Sequence, residues 1–369
     1  MKIAVLGTRG IPNNYGGFEQ FAEYLSIGLA KKGHSVTVYS PHFHYYNNPV
    51  YKNVIIRKKY NPEKLIGSSA NLFYDYLCLK DALNNKFDII LECGYGSSSY
   101  SYYLLNINRS VIITNMDGIE WQRSKWGIFA KKILKIAEKL AVKKSHSIIS
   151  DNVCIKEYYK NKYNIESEYI PYGAIAFSTP DKNLLTKFSL CENDYFLAIA
   201  RLEPENNLEI ILDGYVSSNT DNKLVIISNK DTKYAKYLIN KYNKFDKIFF
   251  IGNNYDQNEL ANLRYFSKAY FHGHSVGGTN PSLLEAMGSQ SLIIAHNNIY
   301  NKSILNSDAF YFNNSGDIIN IINDLENTFP AKEDFIKNNL KKIETIYNWN
   351  NIVNQYDNLF QKLINQNHS

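Results

Sequence analysis

From its first residues the chain alternates short apolar, β-branched runs with longer spans in which apolar residues return every three or four positions. KIAVLG, SVTVYS, VIIRKKY, FDIILECG, VIITNMDG, HSIISDN and EYIPYG read as strands, with helical spans between them beginning at about Glu19. The runs are almost continuously apolar, as strands are when helices cover both faces of a sheet, and this predicts a parallel, doubly wound α/β arrangement. After Gly173 the pattern lapses through a polar segment holding Pro180, Asp181 and Lys182, then resumes with YFLAIARL, KLVIISN, KIFFIGN, KAYFHGH, SLIIAHN and AFYF. Two Rossmann-like domains of similar architecture are expected, over residues 1–175 and 176–345, facing each other across a central cleft. The segments FIKNNLKKIETIY and IVNQYDNLFQKLI are amphipathic and carry no strand signal, so the chain is expected to close with helices, residues 346–369 forming a C-terminal helical tail.

Composition narrows this reading without changing it. The 369 residues are 44% hydrophobic and 21% charged, which suits two folded domains and excludes a disordered or stapled miniature scaffold. The four cysteines, Cys78, Cys93, Cys154 and Cys191, are scattered without a C-x-x-C pair, so neither a zinc site nor a disulfide framework is expected. Met1 and Lys2 lead straight into a strand and a glycine loop, unlike a signal peptide, and no apolar run reaches the length of a membrane span. A cytoplasmic protein is expected.

The formal charge is +6, and Lys125, Lys131, Lys132, Lys135, Lys139, Lys143 and Lys144 crowd one helical segment. Trp126, Phe129, Ile133, Ile136 and Leu140 lie among them. Such a helix suits peripheral contact with an anionic membrane surface, and equally suits a solvated basic face whose apolar side packs on the sheet. No basic run is interleaved with aromatic residues as in a nucleic-acid-binding module, so no nucleic-acid partner is expected.

Two junctions carry candidate chemistry. The first, GTRGIPNNYGGFEQF, joins a strand to a helix through a loop longer than a structural connection needs. Gly16 and Gly17 remove the Cβ atoms that would block a ligand at a helix N-terminus, where backbone amides and the helix dipole favour a phosphate or sugar oxygen. The string lacks G-x-G-x-x-G, and the second strand ends in Ser40 where a dinucleotide site places an acid, so a nicotinamide dehydrogenase is disfavoured. The second junction, YFHGHSVGGTNPSLLEAMGSQ, places Gly277, Gly278 and Thr279 ahead of Asn280 as helix cap and Pro281 in the first turn. Glu285 lies about one turn inside among Leu283, Leu284, Ala286 and Met287. A carboxylate in such surroundings needs a partner, and it is placed to reach the hydroxyls of a ribose. His272 and His274 suit either a ligand contact or a satisfied strand-end histidine. In ARLEPENN, Arg201 sits at a strand end, where a guanidinium fork suits a diphosphate and where Glu203 or Glu205 offers an alternative salt bridge.

With these strings in hand, the chain resembles the retaining glycosyltransferases of family 4, which have the GT-B fold, and within them the bacterial rhamnosyltransferase-like branch that builds surface polysaccharides. The likeness spans almost the whole chain and rests on GTRGIPNNYGGFEQFAEYLS, TNMDGIEWQRSKW, ARLEPENN and HGHSVGGTNPSLLEAM. It implies that the N-terminal domain takes the acceptor and the C-terminal domain a nucleoside-diphosphate sugar. By the same likeness Glu285 binds the ribose, Arg201 the diphosphate, Gly16 and Gly17 close over it, and Gly277, Gly278, Thr279 and Asn280 face the donor sugar. His274 belongs to the same donor set. Asp117 falls where many members carry a histidine near the reacting sugar, and Asp117 or Glu120 would position the acceptor hydroxyl. The sequence departs from the wider family at Gly277, where a second glutamate is usual, and at Asn206, where a lysine is usual and where the asparagine is expected to contact the donor in its place.

The resemblance implies retention by same-face attack, the leaving phosphate oxygen taking the acceptor proton. No D-x-D sequence occurs, so Arg201 and helix-end amides would meet the charge of the leaving group, with no metal and no cofactor expected. L-rhamnose from dTDP-rhamnose, moved onto a lipid-linked saccharide in capsule or O-antigen biosynthesis, is the reaction that the branch points to. A UDP- or GDP-sugar donor is the nearer alternative. A non-catalytic nucleotide-sugar-binding partner of an active transferase and a GT-B-fold epimerase are the readings of other classes.

Overall fold

Lys2–Leu6 (β1) is an apolar strand that runs into a ten-residue loop and then helix Gly17–Lys31 (α1). The computed structural model describes residues 1–107, 110–325 and 329–368. Its residues divide into two units: Met1–Gln122 with Trp126–Tyr172 and the segment from Trp349 onward, and Gly173–Asn348 with Arg123–Lys125.

In the first unit the chain continues through Ser35–Pro41 (β2), Val50–Tyr51 (β3), Val54–Lys59 (β4), Glu63–Ile66 (α2), Ala70–Asn84 (α3), Ile89–Cys93 (β5) and Ser101–Leu104 (α4). Val111–Asn115 (β6), Ile128–Lys144 (α5), Ser147–Ser150 (β7), Val153–Tyr163 (α6) and Glu168–Tyr169 (β8) complete it. The strand order is β3-β4-β2-β1-β5-β6-β7-β8, and every pairing is parallel except that of β3 with β4. The exception is a hairpin the apolar pattern does not announce. β3 has two residues, and its turn places Lys52 and Asn53 at positive φ without the glycine that usually marks a two-residue hairpin. Right-handed crossovers carry the chain leftward through α1 and rightward through α3, α4 and α5, which puts α1 on one face of the sheet and the other three on the opposite face.

The second unit is built from Tyr195–Ile199 (β9), Leu208–Ser217 (α7), Lys223–Ile227 (β10), Lys233–Tyr242 (α8), Ile248–Ile251 (β11), Gln257–Tyr265 (α9) and Ala269–His272 (β12). Pro281–Gly288 (α10), Ile293–His296 (β13), Ile299–Leu305 (α11), Phe310–Phe312 (β14), Ser315–Asp324 (α12) and Phe329–Thr345 (α13) follow. Its strands are all parallel in the order β11-β10-β9-β12-β13-β14. Phe196, Ala198, Leu224, Ile226, Phe271 and Ile294 point from this sheet into one apolar core with Leu208, Ile211 and Leu212 of α7. Every strand run read from the sequence is present in one or other sheet, and the fold is two parallel-sheet α/β units.

The closing helices divide between the units. α13 groups with the second, whereas the last helix, Trp349–His368 (α14), returns to the first; Ser369, the final residue of the expected tail, lies outside the described residues. The reason is a set of aromatic and charged contacts with α1. Trp349 stacks on Tyr24 with centroids 4.8 Å apart, Tyr356 lies 5.4 Å from Phe21, and Asp357 takes Lys32 at 3.0 Å and His34 at 2.9 Å.

Candidate functional site

In an open parallel sheet the chain leaves a crevice at the strand C-terminal ends wherever consecutive connections go to opposite sides, and ligands bind there. Each unit has one such point. In the first it falls between β1 and β5, in the second between β9 and β12. The candidate residues gather at these two places.

At the first, the loop after β1 is moulded against its neighbours. Gly10 has φ +90°, and a Cβ there would stand 2.1 Å from Ser40 Oγ, so only glycine lets the chain pass the end of β2. The loop is then stapled by carboxylates from α1. The buried Glu19 accepts the Arg9 amide at 2.8 Å, and Glu23 accepts that of Asn13 at 2.7 Å. The Arg9 guanidinium bonds Glu63 and lies 4.1 Å over the Tyr15 ring. Gly16 is the cap residue of α1, and its amide goes to Asn13 Oδ1 at 3.3 Å, a long bond that an incoming ligand oxygen can replace. Gly17 opens the helix. The sequence reading of this loop as a bare set of amides missed that Glu19 already stands at the helix tip.

Asp117, two residues beyond β6, adopts a left-handed conformation (φ +47°), which Asn115 Oδ1 supports by accepting its amide at 3.0 Å. The Tyr172 hydroxyl donates to Asp117 Oδ1 at 3.1 Å, and the Tyr172 ring meets Phe18 of α1 edge-on at 6.5 Å. The structure therefore links Asp117 to the tip of α1 through one tyrosine. Burial, with the charge of Asp117 adding to it, raises the Tyr172 phenol well above its ordinary range, so it stays a hydrogen-bond donor. Glu120 donates its amide to Tyr95 Oη at 3.1 Å and accepts Trp126 Nε1 at 2.9 Å.

Beneath this loop lies Glu138, a fully buried carboxylate of α5 that the sequence reading did not single out. It accepts Trp121 Nε1 and Tyr158 Oη, each at 2.9 Å, and Lys162 Nζ and Tyr163 Oη, each at 2.6 Å. Tyr95 reaches it at 3.5 Å. Four donors at close range satisfy the carboxylate, and Tyr95 and Trp121 tie it to the segment that carries Glu120.

In the second unit, Arg201 follows β9 by two residues with its side chain 58% exposed, 3.6 Å from Glu203. The pair exists, but at this exposure it is weak. Asn206, expected to contact the donor, is buried and donates Nδ2–H to the Arg201 carbonyl at 2.8 Å, so it shapes the arginine loop from within. That loop is fastened to the one after β12. Ser275 donates both its amide, at 3.0 Å, and its hydroxyl, at 2.8 Å, to the Glu205 carbonyl, and Asn207 donates to Gly273 O at 2.8 Å. A Cβ on Gly273 would stand 2.0 Å from Asn206 O, so this glycine is what allows the loops to touch.

α10 begins as its sequence dictates. Asn280 caps it by accepting the Ser282 amide at 2.9 Å, Pro281 takes the first helical position, and Ser282 Oγ reaches back 3.3 Å to Ile199 O at the end of β9. Gly277 has φ +130° with open space around it, Gly278 is half-buried, and Thr279 is buried. Glu285 has the partner its apolar neighbours demanded: Arg264 of α9, 2% exposed against 16% for the glutamate. This ion pair fixes the direction of the carboxylate on α10. The sequence reading missed Arg264, although it falls on the same helical face as the buried Leu260 and Leu263. His272 and His274 stack with centroids 4.5 Å apart. Burial, with the Arg264 charge behind it, brings His272 down to about 3, and burial followed by the charge of His272 lowers His274 strongly, so both rings are neutral at ordinary pH.

Arg201, Asn206, His274, Gly277, Gly278, Thr279, Asn280 and Glu285 thus all stand on the segments that follow β9 and β12 or on α10, at the C-terminal strand ends of the second sheet. Asp117, Glu120, Gly16 and Gly17 belong to the loops of the first unit. Among the described residues no group of three or more histidine, cysteine or acidic side chains is arranged to hold a metal ion, and no helix is long and apolar enough to cross a membrane.

Comparison with known proteins now adds the following. Residues 1–175 match the family model described as a domain of unknown function, DUF1972, and residues 188–342, within the second unit, match that of the glycosyl transferases group 1. No curated protein sequence matches. Among solved structures, a sucrose-phosphate synthase from Thermosynechococcus elongatus is 14% identical with a TM-score of 0.83, 99% of each chain being covered. HepE of Anabaena, solved with UDP and glucose, is 14% identical with a TM-score of 0.73, over 98% of this chain and all of that one. The catalytic domain of starch synthase IV from Arabidopsis thaliana, bound to ADP and acarbose, is 13% identical with a TM-score of 0.74, over 99% of each. At these identities the likeness establishes the fold, the two-domain GT-B architecture.

Proposed function

We propose that this protein is a retaining glycosyltransferase that moves a sugar from a nucleoside diphosphate to a lipid-linked saccharide. The observation that carries the reading is the crevice between β9 and β12, where the Glu285 carboxylate, the exposed Arg201 guanidinium and the capped start of α10 meet within a glycosyl transferases group 1 domain. UDP in the HepE structure and ADP in the starch synthase structure support a nucleoside-diphosphate donor by analogy of fold.

In this reading Glu285, oriented by Arg264, accepts hydrogen bonds from the ribose hydroxyls. Arg201 grips the diphosphate and stabilises the charge that develops on it as the glycosidic bond breaks. Gly277, Gly278 and Thr279 leave room for the donor sugar, Gly277 standing where the wider family has a second carboxylate, and neutral His274 offers a ring nitrogen to it. Asn206 acts through the Arg201 loop. The first unit takes the acceptor at the loop ending in Gly16 and Gly17, and Asp117, held by Tyr172, positions the acceptor hydroxyl beside Glu120. The leaving phosphate oxygen takes the proton as the new bond forms on the same face. L-rhamnose from dTDP-rhamnose, destined for capsule or O-antigen polysaccharide, is the donor favoured by the likeness of the sequence motifs.

Purified protein given dTDP-rhamnose, UDP- and GDP-sugars with a lipid-linked acceptor tests the reading, with the product's anomeric configuration read by NMR. Transfer of rhamnose with retention is expected. Transfer from UDP- or GDP-sugars alone overturns the rhamnose assignment, and an inverted product overturns the mechanism. Gly277, and the burial of Asn206 where a lysine is usual, favour a second reading, a nucleotide-sugar-binding partner without turnover. Any acceptor-dependent turnover by the isolated chain removes it.

A further inference from the structure

Three neighbouring strands of the first sheet, β4, β2 and β1, end side by side, and the segments that follow them carry aromatic side chains that stay half in water. Tyr15, in the loop after β1, is 52% exposed, and Tyr60, directly after β4, is 50% exposed. Each ring is backed on one side. The Arg9 guanidinium lies 4.1 Å from the centroid of the Tyr15 ring, and the His42 imidazole stacks on Tyr60 with centroids 4.9 Å and planes 29° apart. Each tyrosine therefore offers water a flat face whose orientation is held from behind.

The two supports are joined to each other. Arg9 bonds Glu63, the first residue of α2; the Glu63 amide goes to Asn61 Oδ1 at 3.0 Å, and the Asn61 amide to His42 Nδ1 at 3.1 Å. Printed contacts thus run unbroken from one tyrosine to the other. With Nδ1 accepting, the neutral His42 ring carries its proton on Nε2, and His42 is exposed, so an N–H donor stands beside the Tyr60 ring. Arg9 brings N–H donors beside Tyr15, its charge offset by Glu63.

We propose that Tyr15 and Tyr60 form a stacking platform for a neutral oligosaccharide, each ring carrying the C–H face of one sugar while Arg9 and His42 donate to its hydroxyls. An acidic partner needs uncompensated cations, and the guanidinium between the rings is already paired with a carboxylate. A protein interface is built around a contiguous apolar centre, whereas these two rings stand among polar groups. Flat apolar faces edged by a few fixed donors match a pyranose ring, apolar across its C–H face and polar at its rim. The platform also sets the length of the ligand. In the order β4-β2-β1-β5-β6, Tyr60 follows β4 and Asp117 follows β6, four strand spacings or about 19 Å away. This step rests on the reading of a saccharide acceptor positioned at Asp117: a chain that presents its terminal sugar there reaches Tyr60 only through further sugars. The acceptor is therefore an oligosaccharide and not a single lipid-linked sugar.

The test is saturation-transfer NMR of the full chain with cellotetraose, maltotetraose and chitotetraose, each beside its disaccharide and beside sorbitol, which has the hydroxyls without the ring. Saturation reaching the ring C–H protons of a tetrasaccharide, bound more tightly than its disaccharide, with none reaching sorbitol, is expected. Tyr60→Leu and Tyr15→Leu keep the bulk and lose the flat face, and each weakens tetrasaccharide binding about tenfold, whereas Tyr60→Phe keeps it within about twofold. Both side chains are half in water, and an unchanged thermal transition verifies that the variants fold. No saturation of any saccharide, equal saturation of sorbitol, or a disaccharide bound as tightly as its tetrasaccharide overturns the proposal. Undiminished binding by the leucine variants, or a phenylalanine variant as weak as the leucine one, overturns it too. The glycosyltransferase reading fails separately: if binding depends on the tyrosines but no donor supports transfer, that reading ends and the platform stands. If transfer proceeds with an acceptor KM that the leucine variants leave unchanged, the platform fails and the reading stands.

Discussion

Replacing Glu285 by alanine strands the Arg264 guanidinium in the interior of the second unit. Arg264 is 2% exposed, and its Nε has no hydrogen-bond partner even with the glutamate in place, so the guanidinium loses its carboxylate with one donor already unsatisfied. Removing one partner of such a buried pair costs about 3–5 kcal/mol. For a unit of this size that corresponds to a fall in Tm of roughly 6–20 °C. On the proposed function nucleotide affinity falls as well, because the carboxylate assigned to the ribose is gone. Arg264→Met combined with Glu285→Leu separates the two effects: with both charges replaced by apolar side chains of similar bulk, stability returns to within about 1–2 kcal/mol of the unsubstituted protein, while nucleotide binding does not return. Calorimetry and titration with nucleoside diphosphates read both quantities. A Glu285→Ala variant that melts within about 2 °C of the parent shows that the pair is not a buried ion pair of ordinary strength, and recovery of nucleotide binding in the apolar double variant refutes the ribose role.

Three further outcomes follow from the same geometry. Arg201→Ala removes only an exposed pair with Glu203, so its folding cost stays below about 1 kcal/mol while turnover falls about a hundredfold or more; equal losses in both would make the arginine structural. Gly273→Ala forces a methyl group to 2.0 Å from Asn206 O in place of a close loop contact, so both Tm and nucleotide affinity drop, and an unchanged affinity would show that the Arg201 loop does not depend on this contact. In the first unit, burial pushes Asp75 up to about 7 against the lowering effect of its Ser97 bond, so the folded state holds more protons than the unfolded one between about pH 4 and pH 7. Stability therefore falls as pH rises across that window, and Asp75→Asn gains Tm relative to the parent near pH 8 but not near pH 4; melting curves with parallel pH dependence would refute the assignment.

The strands were legible because a parallel sheet covered on both faces writes itself as apolar runs, and Asn280 and Pro281 announced the start of α10 through chemistry local to the backbone. The hairpin of β3 was not legible, since a two-residue strand has no period and its turn uses Lys52 and Asn53 without glycine. The return of α14 to the first unit was hidden for another reason. The pattern of IVNQYDNLFQKLI says that one face is buried, but not that Phe21 and Tyr24, more than three hundred residues earlier, bury it.

At the site, what was read and what was missed differ by one rule applied unevenly. Glu285 was singled out because a carboxylate among leucines demands a partner. The same demand is written at Arg264, on a face with Leu260 and Leu263, and at Glu138, on a face with Leu134, Ala137 and Ala141. Both charges prove to be buried and hydrogen-bonded, one orienting the Glu285 carboxylate of α10, the other anchoring the tyrosine and tryptophan that tie down the loop bearing Glu120. Burying a charge costs several kcal/mol unless its partners are in place, so a fold keeps one where a fixed direction is worth that cost. A charged residue at an apolar position of a helix is therefore the signal that points, from sequence alone, to the supports of this site, just as the strand-end glycines and Arg201 point to its surface.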